Sequence, residues 1–265
     1  MAPLVTKWED LVFIYEEVDD VTGKFQHTTF AFVDEDGSAY FGKLNTPKIN
    51  LTLNQLDSAL LSISDDEVFP EWSSSSKLTK ASEPLPSSVY IKRPALIFYD
   101  TFQEHNVLHL IPKGFIEEVD AMEMLSQHPH PNIIKYHGCQ VRRGRITGLV
   151  LDRHPNTFSE YLKSKVGPID KEPFMQALQS AISHLHSLHW AHNDLNPSNI
   201  LINEEGMPVL IDFGSAREVG MKLGTSRGTK GWIDCELKDY HTSDYGHDLF
   251  ALEKLRTWLD EPTFE

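Results

Sequence analysis

Cysteine is scarce in this chain of 265 residues: there are two, Cys139 and Cys235, far apart and in no metal-ligand spacing. That argues against a disulfide framework or a thiolate metal centre and for a reducing compartment, the cytoplasm. Long apolar runs are also missing. None approaches the ~18 residues a membrane helix needs, and the opening MAPLVTKWEDL lacks the apolar stretch of a secretory signal. Positive charge is in deficit, with 24 lysines and arginines against 39 acidic residues and a net charge of −15. Such a balance repels nucleic acid and anionic membrane surfaces, attracts basic partners or metal cations, and gives a solvated acidic surface that aids solubility.

What is present is an ordinary globular mixture, 40% hydrophobic and 24% charged, long enough for one large domain or two lobes. Residues 10–45 alternate in three stretches separated by DDVTG and DEDG, the pattern of a three-stranded meander. LTLNQLDSALLSI (51–63) has helical spacing, with Asn50 as its candidate N-cap. EWSSSSKLTKASEPLPSS (71–88), rich in Ser and Pro, reads as an exposed linker. SVYIKRPALIFYD follows as a strand or strand pair, then a helix over FIEEVDAMEMLSQ (115–127), which HPHPNI must end because each proline disfavours α geometry before it. NIIKYHGCQVRR and RITGLVLD predict two strands joined at Arg143–Gly144, and TFSEYLKSK a short helix. EPFMQALQSAISHLHSLH carries Phe174, Leu178, Ala181, Ile182, Leu185 and Leu188 on one core-facing stripe.

That helix leads straight into AHNDLNPSN (191–199) and then ILINEEGMPVLIDFGSA. ILI and PVLI flank the turn NEEGM and predict a hairpin with Asn199 at its start and Asp212 at its end. Asp194, Asn199 and Asp212 can then converge. Three oxygen-bearing side chains at a loop suit a hard divalent cation such as Mg²⁺, whose shell phosphate oxygens complete. Gly214 permits a turn after Asp212-Phe213 that a bulky residue resists.

HNDLNPSN followed by DFG resembles the catalytic loop H-R-D-L-x-x-x-N and the D-F-G motif of the eukaryotic protein kinases. VYIK (89–92) resembles that family's V-A-I-K strand. FIEEVDAMEML resembles its glutamate-bearing helix, with the paired glutamate at Glu118, and HPNI follows as it does there. GTKGWIDCE (228–236) is similar to the end of an activation segment, and SDYGHDLFALE to the helix with a buried aspartate, here Asp248. The resemblance covers about residues 86–260, and HPHPNI, YHGC and GRITGL are also similar to small fungal kinase-like proteins.

The resemblance implies an α+β, bilobal kinase-like fold: a β-rich N-lobe over 86–152 and a mainly helical C-lobe over 153–265, truncated after the Asp248 helix, with the meander, helix and linker over 1–85 as an extension ahead of it. It implies ATP and Mg²⁺ as cofactors and a protein substrate, probed first with a basic one given the acidic chain; no nucleic acid or membrane partner is expected. Asp194 would be the catalytic base, Asn199 and Asp212 would hold Mg²⁺, and Lys92, paired with Glu118, would hold the nucleotide phosphates. His192 would be a scaffold histidine. Lys113 is a rival to Lys92, although it stands only five residues before Glu118, so a strand and a turn barely fit between them.

Four departures qualify the likeness. No glycine-rich loop precedes Lys92, Asn196 stands where Ser/Thr kinases have a lysine, Asn193 replaces the arginine of H-R-D, and Glu236 lacks the arginine partner of the later helices. An active protein kinase, a pseudokinase serving as a nucleotide-binding or interaction module, and a small-molecule phosphotransferase of the aminoglycoside-kinase type stay open. GTKGW argues against the last. Asparagine at 193 cannot clamp a phosphate as arginine does, so the activation segment is expected to take its working shape without phosphorylation of Thr225, Ser226 or Thr229, aided by packing of Trp232.

Overall fold

Alternation builds the first elements. β1 (Leu11–Val18), β2 (Phe25–Val33) and β3 (Ala39–Leu44) form the expected antiparallel meander. The computed structural model describes residues 4–19, 21–73, 77–224 and 226–264. α1 (Leu53–Ala59) is shorter than its apolar pattern, and its cap is Thr52 rather than Asn50. Thr52 and Gln55 form a reciprocal capping box, so the helix starts where both end groups are satisfied. The pattern past Ala59 serves β4 (Leu61–Ser62), which pairs with β3 and is followed by α2 (Asp65–Val68).

β5 (Val89–Lys92) is one short strand, not a pair; Tyr99–Glu104 coil into α3 instead. α4 (Leu110–Ser126) begins earlier than its motif, and β6 (Tyr136–Arg142) and β7 (Arg145–Asp152) follow. β8 (Asn156–Thr157), α5 (Phe158–Lys163), α6 (Lys171–Ser187), β9 (Trp190–Ala191), β10 (Ile200–Ile202), β11 (Pro208–Leu210), β12 (Arg217–Glu218) and α7 (Tyr245–Trp258) complete the order. Antiparallel strand pairs joined with helices, without a repeating β-α-β alternation, define an α+β fold. Among the described residues no helix is long and apolar enough to cross a membrane.

These elements gather into two compact units whose residues interleave in sequence. The first holds residues up to 77, 93–115 and 140–148; the second holds 78–92, 116–139 and 149 onward. In the first, successive β2 residues face opposite ways. Phe30 packs with Leu51, Leu56 and Leu60, and Ala31 with Phe41, Val68, Phe69 and Tyr99, so both sheet faces are covered. Arg143 pairs with Asp65 at 2.8 Å in the same unit.

In the second unit β5 pairs antiparallel with β7, Lys92 opposite Leu149, in a sheet ordered β5-β7-β6. Part of the expected linker is structured. Cys139 N–H donates to Thr79 O at 2.7 Å and Ala81 N–H to Cys139 O at 2.9 Å, so this stretch runs along β6; residues 74–76 lie outside the described residues. Gly138 permits that approach: a Cβ there would stand 2.6 Å from Ala81 N, and its φ is +114°. Glu123 of α4 fixes the same stretch by accepting from Thr79 N–H and Oγ1 at 2.6 and 2.9 Å. The α6 stripe is buried from Phe174 to Leu185, and Phe158 packs on Phe174 at 4.5 Å.

Candidate active site

The β10–β11 hairpin forms as expected, Ile200 opposite Leu210, and Ile211 N–H donates to Asn199 O at 3.0 Å. It therefore brings the start and end of the motif together. Asp212 follows in the left-handed region, φ +61°, which a short polar side chain tolerates, and its carboxylate accepts from Gly214 N–H at 3.4 Å.

Lys92, at the end of β5, donates to Glu118 Oε1 at 2.5 Å and to Asp212 Oδ1 at 3.0 Å. Glu118 projects from α4 and is only 6% exposed. Lys113 lies on the exposed side of α4 itself, so the contact with Glu118 belongs to Lys92. Burial disfavours the Lys92 charge, but Asp212 and Glu118 outweigh it and hold the ammonium above its ordinary range. Lys92 in turn holds Asp212 below the usual carboxylate range, although partial desolvation works against it. Glu118 goes the other way: burial lifts it against the pull of Lys92.

Asp194 sits in a second, adjoining set of contacts. Its Oδ2 accepts from Asn199 Nδ2 at 3.1 Å, while Oδ1 accepts from Thr229 N–H at 2.8 Å, Thr229 Oγ1 at 2.7 Å and Asn196 Nδ2 at 3.2 Å. Burial raises Asp194; the Thr229 hydroxyl works against that rise and the Asp212 charge adds to it. His192 is fully buried. Its Nε2 bonds Ile211 O at 2.9 Å and its Nδ1 accepts from Asp194 N–H at 3.2 Å, which assigns the proton to Nε2 and makes the ring a brace between loop and hairpin.

Asn193, 1% exposed, is the hub beneath the loop. Its Nδ2 donates to Ala191 O, Ser215 O and Ser243 Oγ at 2.9–3.1 Å, and its Oδ1 accepts from His247 Nδ1 at 3.0 Å and Asp244 N–H at 3.3 Å. Asp248 of α7 accepts from the backbone N–H groups of His192 and Asn193, both at 2.8 Å. Asn193 has φ +62°, a geometry asparagine adopts more readily than most residues. The loop is thus tied to α7 without an arginine.

Two residues matter more than the sequence disclosed. Thr229, noted only as a candidate phosphate acceptor, touches Asp194; nothing in its spacing announces a contact between two loops. Arg217 pairs with Glu117 of α4. Thr225 lies outside the described residues. Trp232 packs edge-on against Trp258 at 5.9 Å. A cavity of about 540 Å³, lined by Met122, Leu125, His130, Tyr136 and Asp152 among others, contains none of Lys92, Asp194, Asn199 or Asp212.

Comparison with known proteins identifies the family. The family described as protein kinase domain matches residues 99–255, more than half of the chain; Lys92 lies ahead of that span, so its place rests on the structure. The serine/threonine-protein kinase/endoribonuclease IRE1 of Hypocrea jecorina is 31% identical over 168 residues, 56% of this chain and 12% of that protein. Human serine/threonine-protein kinase/endoribonuclease IRE2 is 34% identical over 126 residues, 41% of this chain and 13% of that protein. The chain thus spans about an eighth of the length of these relatives. Among solved structures, the yeast RNA Pol II CTD kinase CTDK-1 complex aligns with a TM-score of 0.50 at 23% identity, over 57% of this chain and 51% of that one, a likeness of fold.

Proposed function

Because this chain belongs to the protein kinase domain family, we propose that it transfers a phosphoryl group from ATP to a protein hydroxyl, of serine or threonine. The observation that supports this most is Lys92 bonded at once to Glu118 and Asp212, within the unit that holds Asp194 and Asn199. A lysine anchored by a carboxylate on one side is oriented for phosphate oxygens on the other. Asp194 takes the role of base: its carboxylate already accepts a hydrogen bond from the Thr229 hydroxyl, so a substrate hydroxyl would bond the same carboxylate. In this reading the chemistry belongs to a kinase-like N-lobe over 86–152 and a C-lobe from 153 on, with 1–85 as an extension.

The donors suit Mg²⁺. Asn199 directs its amide nitrogen to Asp194, so its amide oxygen and the Asp212 carboxylate are the hard oxygen ligands this ion takes. These two residues would hold the ion, which when bound offsets charge on the nucleotide phosphates. A basic protein is the first substrate class to try, given the net charge of −15, and the cytoplasm is the compartment that fits two free cysteines.

One alternative has an observation in its favour. The stretch before Lys92 runs along β6 at Thr79–Ala81 and supplies no glycine, and Asn196 offers an amide where a lysine would offer charge. A pseudokinase that binds nucleotide or a protein partner fits these features. Transfer of labelled phosphate from ATP to a basic protein and to the chain itself decides between the two. The kinase reading expects transfer by the wild type and a loss of at least about 100-fold in Asp194→Asn, with nucleotide binding nearly unchanged. Equal background-level transfer by both proteins favours the pseudokinase.

A further inference from the structure

Glu117 and Glu118 are consecutive on α4, so their side chains point about 100° apart around the helix. Glu118 meets Lys92; Glu117 meets Arg217. Arg217 lies three residues beyond the Asp212-Phe213-Gly214 turn, and its side chain is only 13% exposed, with that of Glu117 at 27%. Its Nη2 pairs with the Glu117 carboxylate, while Nη1 donates to Gly214 O at 3.2 Å and Ala216 O at 2.6 Å. The Arg217 backbone is itself fixed: it pairs with Ala191 of β9, just before His192, and its carbonyl accepts from Ser243 Oγ at 3.0 Å.

A later stretch of the same segment closes over the pair. A Cβ at Gly224 would stand 2.8 Å from Glu117 Oε2 and 3.0 Å from Arg217 Nη2, so only glycine passes there without displacing one of them. Asp120, one turn along α4, adds a second carboxylate to the field that Arg217 faces.

We propose that Arg217 and Glu117 are positioning residues: their ion pair fastens α4 to the segment that follows Asp212 and so keeps Glu118 on Lys92. The nucleotide part of this inference rests on the kinase reading above; the helix part does not. Removing either partner leaves the other partly buried without its bonded countercharge, which loosens α4 rather than removing a contact to substrate.

The test is a double-mutant cycle on the full chain with Arg217→Met, which keeps the apolar stem, Glu117→Gln, which keeps the shape, and the double variant. Two readouts are taken: amide hydrogen exchange over 116–121, and the ATP dissociation constant with KM and kcat. Each single variant should speed exchange there and weaken ATP binding by about tenfold, chiefly in KM, and the double should lose no more than Arg217→Met. Unchanged exchange in α4, or losses that simply add, would overturn the proposal. If Arg217→Met does not fold, Glu117→Gln alone decides: faster exchange supports the pair and wild-type exchange refutes it. A wild type that binds no ATP would sink the kinase reading while the exchange data still judge the ion pair.

Discussion

Two polar clusters in the second unit are held in opposite ways. At Lys92 one cation is shared by two carboxylates, and the groups shift one another's proton affinity. At Asn193 a buried amide satisfies backbone groups, a serine and a histidine without forming an ion pair. The first arrangement can exchange partners when a phosphate arrives, because a lysine holds any anion that comes within reach. The second cannot, since each neutral partner has one geometry and an unsatisfied buried group costs free energy. Loss of the first should therefore show mainly in ligand binding, and loss of the second mainly in stability.

Lys92→Met should give the largest effect, a fall in ATP affinity or turnover of roughly 100-fold, the scale of truncating one partner of a hydrogen-bonded charge pair at a binding site. Lys113→Met serves as the control and should change either by less than about twofold, because an exposed charge on α4 contributes little. Titration of ATP by calorimetry reads both. Asn193→Ala comes next: unpaired buried groups and alanine in a left-handed conformation should together cost about 2–4 kcal/mol. A urea midpoint shift worth less than about 1 kcal/mol would erase the contrast between the clusters.

Thr229→Ala and Ser226→Ala should separate. Even in a segment that needs no phosphorylation, alanine at 229 should not be neutral, because the Thr229 hydroxyl bonds Asp194. Losing that bond should lower kcat about tenfold. Ser226, exposed and bonded only to Ser215 Oγ at 2.9 Å among the described residues, should change kcat by less than about threefold.

The smallest expected effect is a pH slope at the neutral cluster. Burial lowers the pKa of His247 below its ordinary value of 6.5. Above 6.5 both folded and unfolded chains carry a neutral imidazole, and the stabilising contribution is complete. As pH falls below 6.5 the unfolded chain takes up the proton first, and the contribution is lost through the lower, folded value. Urea midpoints at pH 7.5 and 5.5 should therefore show a loss toward acid that His247→Phe reduces. Asp234, Asp244 and Asp248 face His247 and oppose the lowering, which keeps the effect small.

Much of this was legible because it is local or periodic. The α6 stripe, the β6–β7 and β10–β11 hairpins and the Asp194–Asn199–Asp212 set follow from spacing within a few turns of chain. Glu118 was legible through its motif, and Lys92 through the room it leaves before the helix. The failures have one physical cause, competition from partners distant in sequence or from end groups that outbid a pattern. Thr52 displaced Asn50 because Gln55 completes its box. Thr79–Ala81 left the linker because Gly138 lets backbone approach β6. Tyr99–Glu104 became a helix, with Tyr99 buried against the first unit's core. Thr229 and Arg217 reach their partners across loops, where no periodicity records the contact.

The most direct test of the central claim is a crystal structure of the chain with a non-hydrolysable ATP analogue and Mg²⁺. The account predicts the phosphates beside Lys92, the ion between Asn199 and Asp212, and Glu118 still bonded to Lys92. Nucleotide lodged instead in the cavity beside Tyr136 and Asp152, or Lys113 rather than Lys92 beside Glu118, would contradict it.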